Sequence, residues 1–126
     1  MSNRDYIIRS SRDAAILTAS YVAGTIADNI DEYNQLLLLV QFTLGSLTSA
    51  QIKVEFSHDQ ITWFQEVSSV IDGGSSKDSL MEHTITATGN YTIPTQLKAK
   101  HVRVSAKGTG VVTSSSMKID QLFSVV

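Results

Sequence analysis

The histidines are the first residues to test for chemistry, because imidazole serves as a metal ligand and as a general acid or base. His58, His83 and His101 lie in separate segments, and no two have the spacing of a metal-binding pair. The sequence also has no cysteine, no G-x-S-x-G nucleophile turn and no glycine-lysine phosphate loop. Because nucleophile, base and metal motifs are all missing, we expect a protein that is not an enzyme.

A small acidic group, formed by Asp28, Asp31 and Glu32, is the one candidate for a bound ion. Carboxylates in a loop can hold calcium as a structural ion. The spacing matches no EF-hand, however, and three acidic residues in one loop are more often simply solvated. We therefore expect no cofactor, with structural calcium at these three residues as the less favoured alternative.

The densest positive run extends from Lys98 to Lys107. In a regular strand, His101, Arg103 and Lys107 share one face. The whole chain is slightly acidic, with a net charge of −2, and no aromatic platform interrupts the run, so we expect no nucleic acid. Two interpretations stay open for Arg103 and Lys107: a solvated sheet face, or contact with a protein partner.

Aromatic residues are the remaining candidates for binding. In a strand from Ile61 to Val67, Trp63 shares its face with those two residues and is predicted to be buried. Phe64 then lies exposed on the opposite face, where a phenylalanine more often marks a protein interface than a sugar site. Tyr91, which follows an asparagine, is the candidate for glycan contact.

The N-terminus is predicted to be an extended arm over residues 1–12, with Arg4, Arg9 and Arg12 as candidate contacts to a partner. Residues 13–126 are predicted to form one domain, because a chain of 126 residues has the usual size of a single core. The first residues lack the apolar core of a signal peptide, and the longest apolar run is far too short for a membrane helix. We therefore expect no signal peptide and no membrane contact.

These candidates must be positioned by β-strands, because apolar and polar residues alternate along most of the chain. The alternation is clearest in residues 51–57, 61–67, 81–88, 101–107 and 117–120. A glycine-serine loop at 72–76 is the strongest turn signal, and 23–33 is predicted to be a loop or a single turn rather than a helix. The pattern predicts an all-β fold: a single antiparallel β-sandwich, jelly-roll-like, of roughly eight strands.

Two further patterns concern how the strands are arranged. Leu36–Phe42 is apolar on both faces, as in a central strand that is covered on both sides. Residues 45–54 resemble residues 110–119, with glycine, threonine, serine and lysine at matching positions. We interpret the two segments as similar strand–turn–strand units, one in each sheet, arising either by duplication or by shared hairpin chemistry.

One part of the chain resembles a known family. Residues Val54–Trp63 match the V-x-x-S-x-D-G-x-x-W hairpin of discoidin-like (F5/8 type C) jelly rolls, and Pro94 with residues 99–104 matches the family's P-x-x-A-R-Y-V-R-V strand. The resemblance spans about residues 52–107 and implies a jelly-roll fold. Gln60 replaces the family's turn glycine and the terminal cysteine pair is absent. The family's ligand sites are therefore not carried over.

The whole chain is also similar to small, cysteine-free, Ser/Thr-rich β-sandwich proteins of tailed-bacteriophage virions. Its leaderless start, the Ser57/Asp59/Trp63 hairpin and an apolar C-terminal strand carry this resemblance. It implies a structural protein of the virion, assembled in the host cytoplasm. The most concrete expectation is a homo-oligomeric capsid decoration or cement protein that binds the major capsid protein or other virion proteins by multivalent contacts. The alternatives are a glycan-binding domain of a tail or fibre, and a tail or connector protein.

Overall fold

The computed structural model describes residues 6–125, except for the side chains at positions 70, 72 and 77. Within that range the chain contains strands, turns and bends, and none of its elements is a helix long and apolar enough to cross a membrane. The strands are β1 (Tyr6–Ala15), β2 (Val22–Ala23), β3 (Gln35–Thr43), β4 (Leu47–Ser57), β5 (Phe64–Gln65), β6 (Val67–Asp72), β7 (Ser75–Leu80), β8 (His83–Ile85), β9 (Gly89–Gln96), β10 (His101–Gly110) and β11 (Ser116–Ser124).

These strands form two larger antiparallel sheets and one separate hairpin. The first sheet has the order β1-β11-β3-β9, and the second has the order β2-β10-β4-β5, with β8 also pairing with β4. Buried side chains from both sheets belong to one hydrophobic core, which is the arrangement of a β-sandwich. The predicted all-β, antiparallel fold is therefore confirmed. The narrower expectation of a jelly roll of roughly eight strands stays a prediction.

The core side chains come from the alternation that the sequence displays. Ile52 and Phe56 of β4 are buried, as are Val102 and Val104 of β10 opposite them. In β11 the same alternation continues beyond Ile119, and every second residue from Met117 to Phe123 is buried. Successive side chains of a strand point to opposite faces, so a period of two places one set in the core and the other outside.

The two similar strand–turn–strand units are arranged differently from the prediction of one unit per sheet. The first unit runs from β3 in the first sheet to β4 in the second, and the second unit runs from β10 back to β11. Each unit therefore spans both sheets, and the two units pair with each other twice, β3 with β11 and β4 with β10. The correction follows from strand pairing, which connects residues far apart in sequence.

The turns of these two units also contact each other. Ser46 donates its backbone N–H to the carbonyl of Ser114 over 2.9 Å, and its hydroxyl donates to the carbonyl of Val111 over 2.6 Å. Gly45 precedes it with a φ of +58°, and a Cβ there would lie 2.0 Å from the Ser114 oxygen. Glycine is required at this position both by the left-handed backbone and by the close approach of the second turn.

The predicted strand from Ile61 to Val67 is wrong in its first half. Residues 58–63 form bends and turns, and Ile61 is 82% exposed. The reason is local: the Asp59 carboxylate accepts backbone N–H groups from Ile61 and Thr62 at 2.9 and 3.0 Å, which holds the chain in a turn. Trp63 is only half-buried, so the buried tryptophan predicted for the sandwich core is corrected as well.

The segment 81–88 is likewise shorter as a strand than its alternation predicts, because only His83–Ile85 pairs with β4. The glycine-serine loop at 72–76 does form a turn, in which Gly73 and Gly74 both have positive φ. Two consecutive left-handed residues suit the twist of a tight hairpin between β6 and β7. The stretch 23–33 contains a turn and no helix, as predicted.

Candidate interaction surface

Exposed apolar side chains are concentrated in one segment, residues 61–80, which we call the apolar projection. Five large apolar side chains there are at least half exposed, namely Ile61 (82%), Phe64 (60%), Val67 (53%), Ile71 (80%) and Leu80 (59%). Phe64 was predicted to be exposed, and this is confirmed. Side chains of this kind cluster on a surface mainly where it meets another molecule.

Most of the apolar projection is a hairpin that stands apart from the sandwich. Strands β6 and β7 pair with each other over their full length and, within the described range, with neither larger sheet. Val67 and Leu80 lie opposite each other, so these two apolar side chains share one face of the hairpin. A two-stranded hairpin alone is marginally stable in water, and this one leaves both of its edges unpaired.

The base of the projection is held firmly. Met81 donates its backbone N–H to the carbonyl of Glu66 over 2.8 Å, which closes the hairpin at its root. The side-chain amide of Gln65 donates to the carbonyl of Met81 at the same distance. Phe64 and Gln65 pair with β4 of the second sheet. The projection is therefore a free hairpin on a fixed base.

A second cluster lies on the outer face of the second sheet, beside this base. The guanidinium of Arg103 stacks 4.3 Å from the centre of the Trp63 ring and donates from Nε to Glu55 at 3.1 Å. Lys53 Nζ lies 3.8 Å from the same carboxylate oxygen. The Glu55 carboxylate is mostly buried, so the two cations compensate a charge that would otherwise be costly there.

The other end of this cluster is built on Tyr21. Lys53 and Lys107 approach its ring, with Nζ at 4.5 and 4.9 Å from the centre. The Tyr21 hydroxyl donates to the carboxylate of Glu82. Burial, together with this hydrogen bond and the charge of Glu82, raises the pKa of Tyr21 well above its ordinary value. We call the whole group, from Trp63 to Tyr21, the cation–aromatic cluster.

The prediction that Arg103 and Lys107 share a face is confirmed by the register of β10 against β4. Their side chains are engaged within the chain, however, on the rings of Trp63 and Tyr21. His101 belongs to the same face, with Nδ1 3.2 Å from the side-chain amide of Gln60. Contact of Arg103 or Lys107 with a partner stays a prediction.

The described part of the expected N-terminal arm lies in a sheet. Residues 6–12 form the first part of β1, which pairs with β11, whereas Arg4 lies outside the described residues. Arg9 donates to the carbonyl of Asp28 at 2.8 Å. Arg12 donates to three backbone carbonyls at the bulged end of the strand, and burial lowers its pKa. Both side chains therefore stabilise the edge of the sandwich.

The acidic group offers no ion site in the described part of the chain. The Asp28 carboxylate lies 3.9 Å from Arg9, and Asp31 and Glu32 are exposed in the turn that follows. Within residues 6–125, no group of three or more acidic, histidine or cysteine side chains is arranged to hold a metal ion. The calcium alternative therefore gains no support from the geometry.

The remaining candidates lie apart from one another. His83 lines a small cleft at the open edge of the sandwich with five other residues, Val54, Phe56, Glu66, Met81 and Thr95. His58 is exposed in the 58–63 turn, so the three histidines are not brought together with a nucleophile. The hydroxyl of Tyr91 donates to the carbonyl of Ala87 at 2.6 Å, and its ring is half-buried.

Sequence reasoning identified Phe64 but missed Ile61, Ile71 and Leu80 as parts of the same surface. Val67 was expected in the core, and it is instead exposed. One signal could have found them: the glycine-serine turn stands between two serine-rich runs that are too polar for a core strand and yet carry isolated large apolar residues. No family model, curated protein or solved structure matches this chain.

Proposed function

We propose that this chain is a non-enzymatic structural protein of a phage virion, a capsid decoration protein that binds the major capsid protein through its apolar projection. One observation carries the proposal. Five large apolar side chains, each at least half exposed, lie on a segment of 20 residues whose hairpin is unpaired with the sandwich in the described range. Burial against a partner removes this apolar surface from water and stabilises the hairpin.

The strand order supports this proposal, because it fits a jelly roll. Leaving out the β6–β7 hairpin, and counting β5 and β8 as one position beside β4, there are two sheets of four positions each. Eight antiparallel strands in two such sheets are the makeup of a jelly roll, a fold used by viral capsid and lectin domains. The hairpin is then an insertion between two positions of the fold, where function is commonly added.

The mechanism rests on repetition. A capsid presents the same site many times, and each copy of this chain buries one small projection against its own site. A patch of this size binds weakly alone, but copies that also contact one another on the shell gain from linked binding. The fixed base at Glu66 and Met81 orients the projection toward the shell, which reduces the conformational entropy lost on binding.

Glycan binding receives less support from the aromatic residues. Arg103 covers one face of the Trp63 ring, and the Tyr91 hydroxyl is already bonded to the backbone. A tail or connector protein would use the same projection, and the copy number per particle distinguishes it from a decoration protein.

The test is binding of the purified chain to shells that have been stripped of it. In one variant, residues 67–80 are replaced by Asn-Gly; in another, Phe64→Ser removes a single side chain. The matched control is Val111→Ser, because Val111 and Phe64 are both 60% exposed and Val111 lies in the β10–β11 turn outside the projection.

We expect the 67–80 replacement to abolish binding, Phe64→Ser to weaken it about tenfold or more, and Val111→Ser to leave it unchanged. Mass spectrometry of purified particles should give a simple ratio of this chain to the major shell protein. Absence of the chain from particles, or equal binding by the replacement variant, would overturn the proposal. A few copies per particle would move the chain to the tail.

A further inference from the structure

The outer face of the first sheet carries an unbroken apolar row. In the register of β1, β11, β3 and β9, four residues stand side by side across the sheet: Ile8, Leu122, Leu37 and Pro94. We call them the outer apolar row. Ile8 and Pro94 are exposed, and Leu122 and Leu37 are half-buried. Leu39, the next outward residue of β3, adds a fifth apolar side chain.

This row is on the wrong face for a sheet that meets water. An antiparallel sheet with one solvated face normally alternates apolar residues inward and polar residues outward. The inward residues of β3, such as Leu38 and Val40, already fill the core. Leu37 and Leu39 are therefore a second apolar face of the central strand, and no other segment of the described chain lies over it.

The rows on either side of it are polar and nearly uncharged. Tyr6, Ser124, Gln35 and Gln96 form the row on one side. Among the paired residues of this outer face, the charged side chains are Lys118 and Asp120, whose Nζ and Oδ2 atoms are 3.7 Å apart. The face thus has an apolar centre, a polar rim and no net charge. An identical face can approach it without repulsion between like charges.

We propose that the outer apolar row is the interface with a second copy of this chain, in a twofold dimer that packs the two first sheets face to face. Four paired strands of about eight residues present about 500 Å² per copy, so the dimer buries about 1,000 Å² in total. That area is near the lower limit for a specific interface and fits a dimer that dissociates on dilution. The proposal does not depend on shell binding, because the projection belongs to the other sheet.

The first test is the mass of the full chain in solution, measured by light scattering and sedimentation over a concentration series. We expect the mass to approach twice the 13.7 kDa of one chain at high concentration. The double variant Leu37→Thr/Leu122→Thr keeps residues that suit strands and removes the apolar centre. Each substitution acts twice in a twofold interface, so we expect the Kd to rise about 100-fold or more.

The matched control is Phe64→Ser/Ile71→Ser, which removes exposed apolar side chains from the projection and should leave the dimer intact. A single mass of 13.7 kDa for the wild type at all concentrations would overturn the proposal. So would a dimer that survives the double substitution, or one that the control variant dissociates equally.

A second measurement does not require the double variant to fold. Because the chain lacks cysteine, a single spin label can be placed at Thr92→Cys on the proposed interface, or at Thr109→Cys on the second sheet. Packed sheets lie about 10 Å apart, so the distance between Thr92 labels should be shorter than that between Thr109 labels by about 20 Å. The reverse order of distances, or no distance between copies, would contradict a face-to-face dimer.

Discussion

At the scale of single residues, the 57–62 turn determines where the projection begins. The hydroxyl of Ser57 accepts the backbone N–H of Gln60 at 2.8 Å and donates to the Asp59 carboxylate at 3.0 Å. Backbone N–H groups of Thr62 and Ile61, with the Ser57 hydroxyl, hold the pKa of Asp59 below its ordinary value. These side-chain bonds replace strand pairing over residues that alternate like a strand, which is why the turn was not predicted.

Gln60 in this turn has a φ of +61°, a left-handed backbone that costs a non-glycine residue about 1–2 kcal/mol. Gln60→Gly removes this strain but adds freedom to the unfolded chain, which costs about 0.5–1 kcal/mol. We expect the variant to raise the free energy of unfolding by about 0.5 kcal/mol. Urea unfolding measures the change, with His58→Gly as the control. A decrease for Gln60→Gly, equal to that of the control, would contradict the prediction.

At the scale of elements, the two strand–turn–strand units build the sandwich and the hairpin is added to it. Strands β3, β4, β10 and β11 supply the central strands of both sheets, and the turns at Ser46 and Ser114 fasten the two units at one end. The β6–β7 hairpin has no comparable connection, since its root is a single closing bond between Met81 and Glu66. Stability and partner contact are therefore carried by different elements.

Replacing residues 67–80 with Asn-Gly tests this separation. The bond from Met81 to Glu66 already brings the two ends together, and Asn-Gly suits a tight two-residue turn. We expect the free energy of unfolding to change by less than about 1 kcal/mol, because little core surface is lost. The comparison is Val104→Ala in the core, which should cost about 2 kcal/mol. A larger loss for the replacement would mean that the hairpin supports the sandwich.

At the scale of the whole molecule, one core serves both sheets, and it contains a polar defect. Gln121 is 1% exposed on the inner face of β11, between the apolar residues Ile119 and Phe123. Its side-chain oxygen has no hydrogen-bond partner within the described residues. A buried acceptor without a partner costs about 1–3 kcal/mol.

Gln121→Met keeps the length of the side chain and removes the unpaired oxygen. We expect the free energy of unfolding to rise by about 1 kcal/mol, measured by thermal and urea unfolding. The control is Gln51→Met, because the Gln51 amide makes bonds of 2.8 Å to Ser49 and 2.7 Å from Thr109. The control should lose stability, and a loss for Gln121→Met as well would show that its oxygen is satisfied in solution.

The sequence alone determined the class of the fold and the inward face of its central strands. Ile52, Val102 and Ile119 could be assigned to the core, because a period of two in hydrophobicity is a local property of a strand. The exposure of Phe64 followed from the same local pattern. The sequence could not place Trp63, since the bonds that end its strand come from a turn and the ring that it shares with Arg103 comes from strand pairing.

Only the tertiary structure decided which surfaces are left open. The outer apolar row consists of residues from four strands spread over the chain from Ile8 to Leu122, and each looks like an isolated exposed residue in the sequence. Register joins them, and register depends on pairing between strands that lie far apart along the chain. The hairpin stands free for the same reason: its strands find each other locally, and neither sheet of the described sandwich pairs with them.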